Sequence, residues 1–264
     1  LLLCLGMALA TAGASLDMDT EDLRRHVNWG HISSRTAAII QAGMNVKAAG
    51  DTFLVIGANT GSNSNDPMWR SLKTLKASTY SVFVEPIPPF YKELTRSVRE
   101  LSSDRVTCVN AAISATSQPL SLYCTGLDDD GNVLTSKGFS PWCKQTCTSN
   151  KTTLLNSNLN SPALVQQYMR EYTVPGLTVQ ELLDQYARGR TIRAVQIDVE
   201  GLDDMVVQNL PLDSIAPSLI IFEAIHLSKK QLVATFKFLH AHDYYTTRYG
   251  QNGLALRLSV LKGI

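Results

Sequence analysis

Short apolar runs alternate with longer segments of helical periodicity along most of the chain. The apolar runs lie at 53–56, 81–84, 194–197 and 219–222, and further strand-like segments lie at 244–247 and 254–258. Strands that alternate with helices of this length predict a mainly parallel sheet with helices on both faces. The expected fold class is therefore α/β.

Capping signals predict where several helices begin. Asp66 precedes Pro67, which suits the first position of a helix, and a second helix is expected to start at Pro88. In that helix the residues expected on one face are Phe90, Leu94, Val98 and Leu101. Two capping boxes, which pair a hydroxyl residue with Glu or Gln three positions later, are Thr178 with Glu181 and Ser228 with Gln231.

A glycine turn follows the first apolar run. Gly57 and Gly61 enclose Asn59, and a second apolar run ends in Glu85, 24 residues beyond Gly61. A strand, a glycine turn, a helix and a strand ending in an acid form the layout of a nucleotide-cofactor site on an open sheet. The turn lacks Gly-Lys-Ser/Thr and is not Gly-x-Gly-x-x-Gly, so the layout alone does not identify the cofactor.

Four ordered motifs carry a family resemblance that covers about residues 50–260. They are Ile-Gly-Ala-Asn at 56–59, Val-Glu-Pro at 84–86, Asn-Ala-Ala-Ile at 110–113 and Ile-Asp-Val-Glu-Gly at 197–201. This set resembles the FkbM family of S-adenosylmethionine-dependent methyltransferases. The resemblance implies the class I methyltransferase fold, which is Rossmann-like. The chain departs from the family at Val55, where an acid is usual, so another polar group is expected to meet the amino group of the cofactor, or the affinity is reduced.

The resemblance also implies which residues hold the cofactor. Gly57, Asn59 and Gly61 are expected to face its methionine part, and Glu85 its ribose. Asn110 and Ala111 are expected near its adenine.

Acids and a histidine that follow two later apolar runs are candidates for catalysis. Asp198 and Glu200 flank Val199, and strand alternation predicts that their carboxylates lie on the same side, before a helix at 202–210. Glu223 and His226 follow the next run, where a carboxylate can tune the imidazole for proton transfer. Asp198, His226 and Glu200 can therefore orient an acceptor hydroxyl, act as base or hold a divalent cation, although a metal is not predicted. Glu200 can alternatively cap the helix.

Size and charge exclude some classes of protein. The chain has 264 residues, 44% of them hydrophobic, which suits one substantial α/β core. Its formal net charge of +1 and the lack of a basic stripe argue against nucleic acid as a partner.

The first residues predict a targeting segment. Residues 1–14 combine an apolar run with small residues, as in a secretory signal peptide whose charged start is missing. A truncated membrane anchor and a buried helix are the alternatives. Residues 19–48 are expected to form a helical lead-in, and no membrane partner is expected after signal cleavage.

Residues 125–165 lack periodicity and are expected to form an insertion over the cofactor edge of the sheet. This segment contains an N-glycosylation sequon at Asn150 and two of the four cysteines that remain after signal cleavage. In an oxidising lumen these cysteines are expected to form disulfides. One arrangement is a hairpin centred on Thr116 that pairs Cys108 with Cys124 and leaves Cys143 to pair with Cys147. The rival arrangement joins Cys124 to an insertion cysteine and leaves Cys108 reduced.

The expected activity is transfer of a methyl group from S-adenosylmethionine to an oxygen. The resemblance favours a sugar, a glycan or another small-molecule hydroxyl as acceptor, and the signal segment favours the secretory pathway or secretion. The alternatives are a nicotinamide-dependent oxidoreductase, which shares the strand, glycine and acid layout, and a catalytically degenerate secreted binding protein.

Overall fold

The computed structural model describes residues 43, 50–61, 79–101, 103–157 and 159–261. The predicted signal segment, the lead-in apart from residue 43, and the expected helix start at Asp66 lie outside these residues. The strands are β1 (Asp51–Ile56), β2 (Tyr80–Val84), β3 (Val106–Val109), β4 (Ala112–Ile113), β5 (Leu120–Thr125), β6 (Met169–Val174), β7 (Gly176–Leu177), β8 (Thr191–Ile197), β9 (Leu219–Glu223), β10 (Tyr244–Tyr249) and β11 (Asn252–Arg257).

Among the described residues, α-helices lie between five pairs of consecutive strands. The α-helices are α1 (Pro88–Ser97), α2 (Lys151–Leu155), α3 (Pro162–Gln167), α4 (Val179–Tyr186), α5 (Asp203–Gln208), α6 (Leu212–Ile215), α7 (Lys229–Ala241) and α8 (Leu258–Leu261). Short 3-10 helices lie at Val98–Glu100, Ser103–Arg105, Thr135–Lys137 and Pro141–Gln145. Both predicted capping boxes are present, at the starts of α4 and α7.

A seven-stranded sheet forms the centre of the molecule, in the order β10-β11-β9-β8-β1-β2-β3. The neighbours β3, β2, β1, β8 and β9 are parallel, whereas β11 runs antiparallel to both β9 and β10. The predicted α/β class with a mainly parallel sheet is confirmed. β1 lies in the middle of this sheet, so the carboxyl end of β1 is surrounded by those of its neighbours.

Apolar side chains fill both faces of the sheet. On one face, Leu54 and Ile56 of β1 pack in a cluster that includes residues of α4, α5 and α7. On the other face, Phe53 and Val55 pack with Leu94 of α1. This alternation along β1 follows from the two-residue period of a strand. The apolar continuity of β1 therefore reflects burial on both sides.

The predicted Cys108–Cys124 hairpin is wrong. Cys108 lies on β3, which pairs in parallel with β2, whereas Cys124 lies on β5, which pairs with β6. Residues 115–119 form an exposed loop between the two sheets instead of a tight turn. Cys124 is bonded to Cys147, and Cys108 and Cys143 are free thiols. The rival arrangement is the one present.

The turn after β1 and the loop after β8 approach each other at backbone distance. Gly57 has a φ of +81°, and a Cβ built there would lie 1.7 Å from the carbonyl oxygen of Asp198. The amide of Asp198 in turn donates to the carbonyl of Ile56 over 2.9 Å. Only glycine fits at position 57, because any side chain would push the two loops apart.

Within the described part of the chain, none of the helices has the length and apolar character needed to cross a membrane.

We expect Gly57→Ala to destabilise the protein by at least about 2 kcal/mol more than Gly189→Ala does. Gly189 is a matched control because its φ is +71° but a Cβ there would meet nothing within 4 Å. Both variants therefore carry the left-handed strain, and only the first carries the clash. Urea unfolding of the two purified variants measures the difference. Equal free energies of unfolding would mean that the close approach to Asp198 is not a constraint on the fold.

Non-reducing peptide mapping should recover one peptide pair, joined through Cys124 and Cys147. Cys108, which is half-buried, should be alkylated without reductant in the denatured protein, as should Cys143. A crosslinked peptide containing Cys108 would contradict the arrangement of the strands around β3.

Candidate active site

A cavity of about 300 Å³ opens at the carboxyl ends of the parallel strands. Its lining includes Ile56 at the end of β1, Val84 at the end of β2, Asp198 after β8 and Glu223 at the end of β9. Ligands of open α/β sheets bind outside this edge. Its volume lies at the small end of the range usual for small-molecule sites.

The glycine turn after β1 forms one wall of the cavity. The amides of Gly57 and Ala58 both donate to the carbonyl of Val84 over 2.9 Å, which holds the turn against β2. Asn59 has a φ of +49°, and its amide donates to the Glu85 carboxylate over 2.8 Å. Gly57 and Asn59 line the cavity, whereas Gly61 is not among its lining residues.

Glu85 is a buried carboxylate in the cavity wall. Its Oε1 accepts a hydrogen bond from the Ile87 amide, and its Oε2 accepts one from the Asn59 amide, each over 2.8 Å. Burial raises the pKa of this carboxyl to about 7, although the two amides oppose the shift. Each carboxylate oxygen has two acceptor positions, so both oxygens retain capacity for hydroxyl donors from a ligand.

The two residues expected near adenine lie at different places. Ala111 lines the cavity next to Ala112. The side chain of Asn110 is instead directed to the backbone, where Nδ2 donates to the carbonyls of Glu85 and Pro86 over 2.8 and 3.0 Å. Asn110 therefore positions the Glu85 segment and is not among the lining residues.

Asp198 and Glu200 both line the cavity, but strand alternation does not place them there. β8 ends at Ile197, and Glu200 has a φ of +54°, so the predicted strand geometry does not continue through residues 198–200. Asp198 is exposed, whereas Glu200 is partly buried and turns towards His226. The two residues therefore share the cavity through a left-handed turn that redirects the chain after Val199, and not through strand alternation.

Glu200, Glu223 and His226 form a compact group in the cavity wall. The Nε2 atom of His226 lies 3.4 Å from Glu200 and 3.7 Å from Glu223, measured to Oε2 in each case. Glu200 raises the pKa of His226, with a further contribution from Glu223. Burial raises the pKa of Glu223 to about 7, and the Glu200 carboxylate adds to the shift. Such shifts are typical of groups that exchange protons near neutral pH.

A buried acid that the sequence analysis missed supports this group. Asp203, at the start of α5, accepts hydrogen bonds from the amides of Val199 and Gly201 over 3.3 and 3.2 Å. Burial raises its pKa to about 6. Asp203, rather than Glu200, therefore satisfies the amides before the helix. The feature of the sequence that could have identified Asp203 is an acid in the first turn of a helix that follows a glycine.

Residues of the insertion form another wall of the cavity. Trp142, Lys144 and residues 145–149 line the cavity. Asn59 connects the two walls, because its Nδ2 donates to the carbonyl of Lys144 over 2.7 Å. The Lys144 ammonium lies 3.2 Å from Glu93 of α1. The sequence pattern predicted a segment over this edge without indicating which of its residues reach the cavity.

The Glu200 group, which consists of Glu200, Glu223 and His226, also offers the kinds of ligand atom that bind a divalent cation. One carboxylate oxygen from each glutamate and one imidazole nitrogen all lie within 4.8 Å of one another. Mixed oxygen and nitrogen donors suit several divalent metals. The same atoms suit proton transfer equally well, so their spacing alone does not select a metal.

Solved structures of similar shape include several methyltransferases. They include precorrin-6y C5,15-methyltransferase from Geobacter metallireducens, with 12% identity, a TM-score of 0.39 and coverage of 88% of this chain and 93% of that one. An O-methyltransferase from Bacillus cereus in complex with SAH has 9% identity, a TM-score of 0.42 and coverage of 97% and 100%. Aeropyrum pernix fibrillarin with bound S-adenosyl-L-methionine has 7% identity, a TM-score of 0.40 and coverage of 84% and 72%. Similarity at this level carries no argument about function.

A comparison with curated protein sequences gives no match. The family profile described as the Methyltransferase FkbM domain, in contrast, matches residues 56–246. The match extends from the last residue of β1 to β10 and includes the glycine turn, Glu85, Asp198 and the Glu200 group. The chain therefore belongs to the FkbM methyltransferase family, and it is an S-adenosylmethionine-dependent methyltransferase of the class I fold.

Proposed function

We propose that this methyltransferase acts on a hydroxyl oxygen of a sugar or glycan in the secretory pathway. The observation that carries the oxygen specificity is the Glu200–His226 pair, 3.4 Å apart in the wall of the cavity. A hydroxyl must lose its proton when its oxygen takes a methyl group, and a paired imidazole can accept it. The predicted signal segment and the Asn150 sequon support the compartment.

The residues of the cavity fit the cofactor in two respects. Glu85 offers a buried carboxylate with free acceptor capacity, which suits the two hydroxyls of a ribose. Asn59 and the turn at Gly57 bring backbone close to the same space. When bound, the cofactor supplies a methyl group on a positively charged sulfur that leaves as a neutral thioether.

The chain's own part in the reaction is positioning and proton removal. Holding the acceptor oxygen in line with the methyl group supplies much of the acceleration of such a displacement. His226 and Asp198 are the two groups placed to take the hydroxyl proton, and Glu200 orients the imidazole. Asp198 also lies beside the Gly57 turn, so it is a candidate to meet the cofactor's amino group in place of the acid that Val55 replaces.

Family membership sets aside the oxidoreductase alternative. Val55, the departure that suggested a catalytically degenerate binding protein, is buried on the opposite face of the sheet from Leu54 and Ile56 and contributes no acid to the site. The test is transfer of label from tritiated S-adenosylmethionine to glycans released from secreted glycoproteins. Label that remains in the glycan fraction after treatment with mild base supports a methyl ether as the product. Absence of transfer, with the cofactor bound, would reject these glycans as acceptors.

We expect the affinity for S-adenosylhomocysteine to rise about tenfold between pH 6 and pH 8. The carboxyl of Glu85 has a pKa of about 7, and only its ionised form accepts both ribose hydroxyls. Raising the pH therefore removes a proton that competes with the ligand. For Glu85→Gln, calorimetry should show an affinity that does not change over this pH range. At pH 8 the variant should bind at least tenfold more weakly than wild type, because hydrogen bonds to a charged group are lost. A wild-type profile as flat as that of the variant would remove Glu85 from the site.

Asp198→Asn and His226→Gln separate the two candidate bases. The variant that lacks the base should lose about 100-fold or more in kcat while its Kd for S-adenosylhomocysteine stays within twofold. If Asp198 instead meets the amino group of the cofactor, Asp198→Asn weakens binding and His226→Gln lowers turnover. Turnover within twofold of wild type in both variants would reject proton transfer by either group. Assays with and without a chelator test the metal alternative separately.

A further inference from the structure

Three large apolar side chains are exposed at the cavity that holds the Glu200 group. Among the described residues, the large hydrophobic side chains with substantial exposure are Trp142 at 60%, Tyr245 at 41%, Ile225 at 38% and Leu202 at 36%. All but Tyr245 line the cavity. Exposed apolar surface that collects at one concave site marks a place where a ligand binds.

Trp142 is exposed on a segment that is itself firmly held. The next residue, Cys143, is fully buried, and the Thr146 hydroxyl donates to the Trp142 carbonyl over 2.8 Å. The amide of Thr148 donates to the Tyr123 carbonyl over 2.9 Å, and Cys147 is bonded to β5. The indole is therefore presented by a fixed backbone, so less ordering is needed when a ligand covers it.

The residues around Trp142 define the chemistry of that ligand. Lys144, Gln145, Thr146, Thr148 and Ser149 line the same wall and carry ammonium, amide or hydroxyl groups. An acyl chain lying there would remove these groups from water without replacing their hydrogen bonds, at a cost in binding free energy. A sugar ring has one face of C–H groups and a periphery of hydroxyls, so it can cover the indole and also bond to the polar groups.

Two other apolar side chains of the cavity lie close in sequence to the reacting groups. Leu202 follows Glu200 by two residues, and Ile225 directly precedes His226. A ligand that covers Trp142 and also contacts these side chains therefore lies in the cavity that Glu200 and His226 line.

We propose that Trp142 is the stacking platform for a pyranose ring of the acceptor, and that it determines the preference for carbohydrate over apolar alcohols. This inference rests on the proposed function, because it assigns the acceptor end of the same cavity. Trp142 acts by binding and takes no part in proton transfer.

The experiment measures carbohydrate binding by the full chain saturated with S-adenosylhomocysteine, on an array of glycans with a dodecanol-coated surface as the apolar probe. We expect wild type to bind glycans and not dodecanol. Trp142→Ala should lose at least tenfold in affinity, and Trp142→Phe, which keeps an aromatic face, should stay within about threefold. Tyr245→Ala is the matched control, since it removes an exposed aromatic side chain outside the cavity, and should bind as wild type does.

Separate titration with S-adenosylhomocysteine distinguishes the failure of this inference from that of the proposed function. All three variants should bind it within twofold of wild type. Glycan binding that survives Trp142→Ala would overturn the platform and leave the proposed function standing. Wild type that binds S-adenosylhomocysteine but no glycan, or that is retained on dodecanol instead of glycans, would overturn the proposed acceptor and the platform with it.

Discussion

The backbone contact between Gly57 and Asp198 is the constraint on which the site depends. Each residue directly follows a central parallel strand, and the two loops can approach only because position 57 carries no side chain. The same approach places the glycine turn beside the loop that leads to Glu200. The pairing of β1 with β8 thus brings a wall of the cofactor site and a candidate reacting group together.

Buried acids gather at this edge of the sheet, and their burial is costly unless partners offset it. Backbone amides stabilise Glu85 and Asp203, whereas Glu223 is flanked by the Glu200 carboxylate and the His226 imidazole. Glu85 and Asp203 therefore have fixed geometry. In the group of Glu200, Glu223 and His226, one imidazole nitrogen lies near both carboxylates, which suits the group to exchange a proton.

The parts of this arrangement that depend on local pattern were predictable from the sequence. The apolar runs placed β1, β2, β8 and β9, and their carboxyl ends placed Glu85 and Asp198 at one edge. The choice between the two disulfide arrangements was not predictable, because Cys124 and Cys147 meet through a backbone bridge between Tyr123 and Thr148 that no local pattern indicates. The turn at Glu200 was missed because a positive φ at a non-glycine residue leaves no signal in the sequence.

The central claim is that this edge of the sheet binds S-adenosylmethionine through Glu85 and the Gly57 turn. Calorimetric titration of the wild-type protein with S-adenosylhomocysteine and, separately, with NAD tests it most directly, because both ligands carry an adenosine that can use a carboxylate at a strand end. The account predicts saturable binding of S-adenosylhomocysteine to one site and no saturable heat with NAD. Binding of NAD without binding of S-adenosylhomocysteine would contradict it.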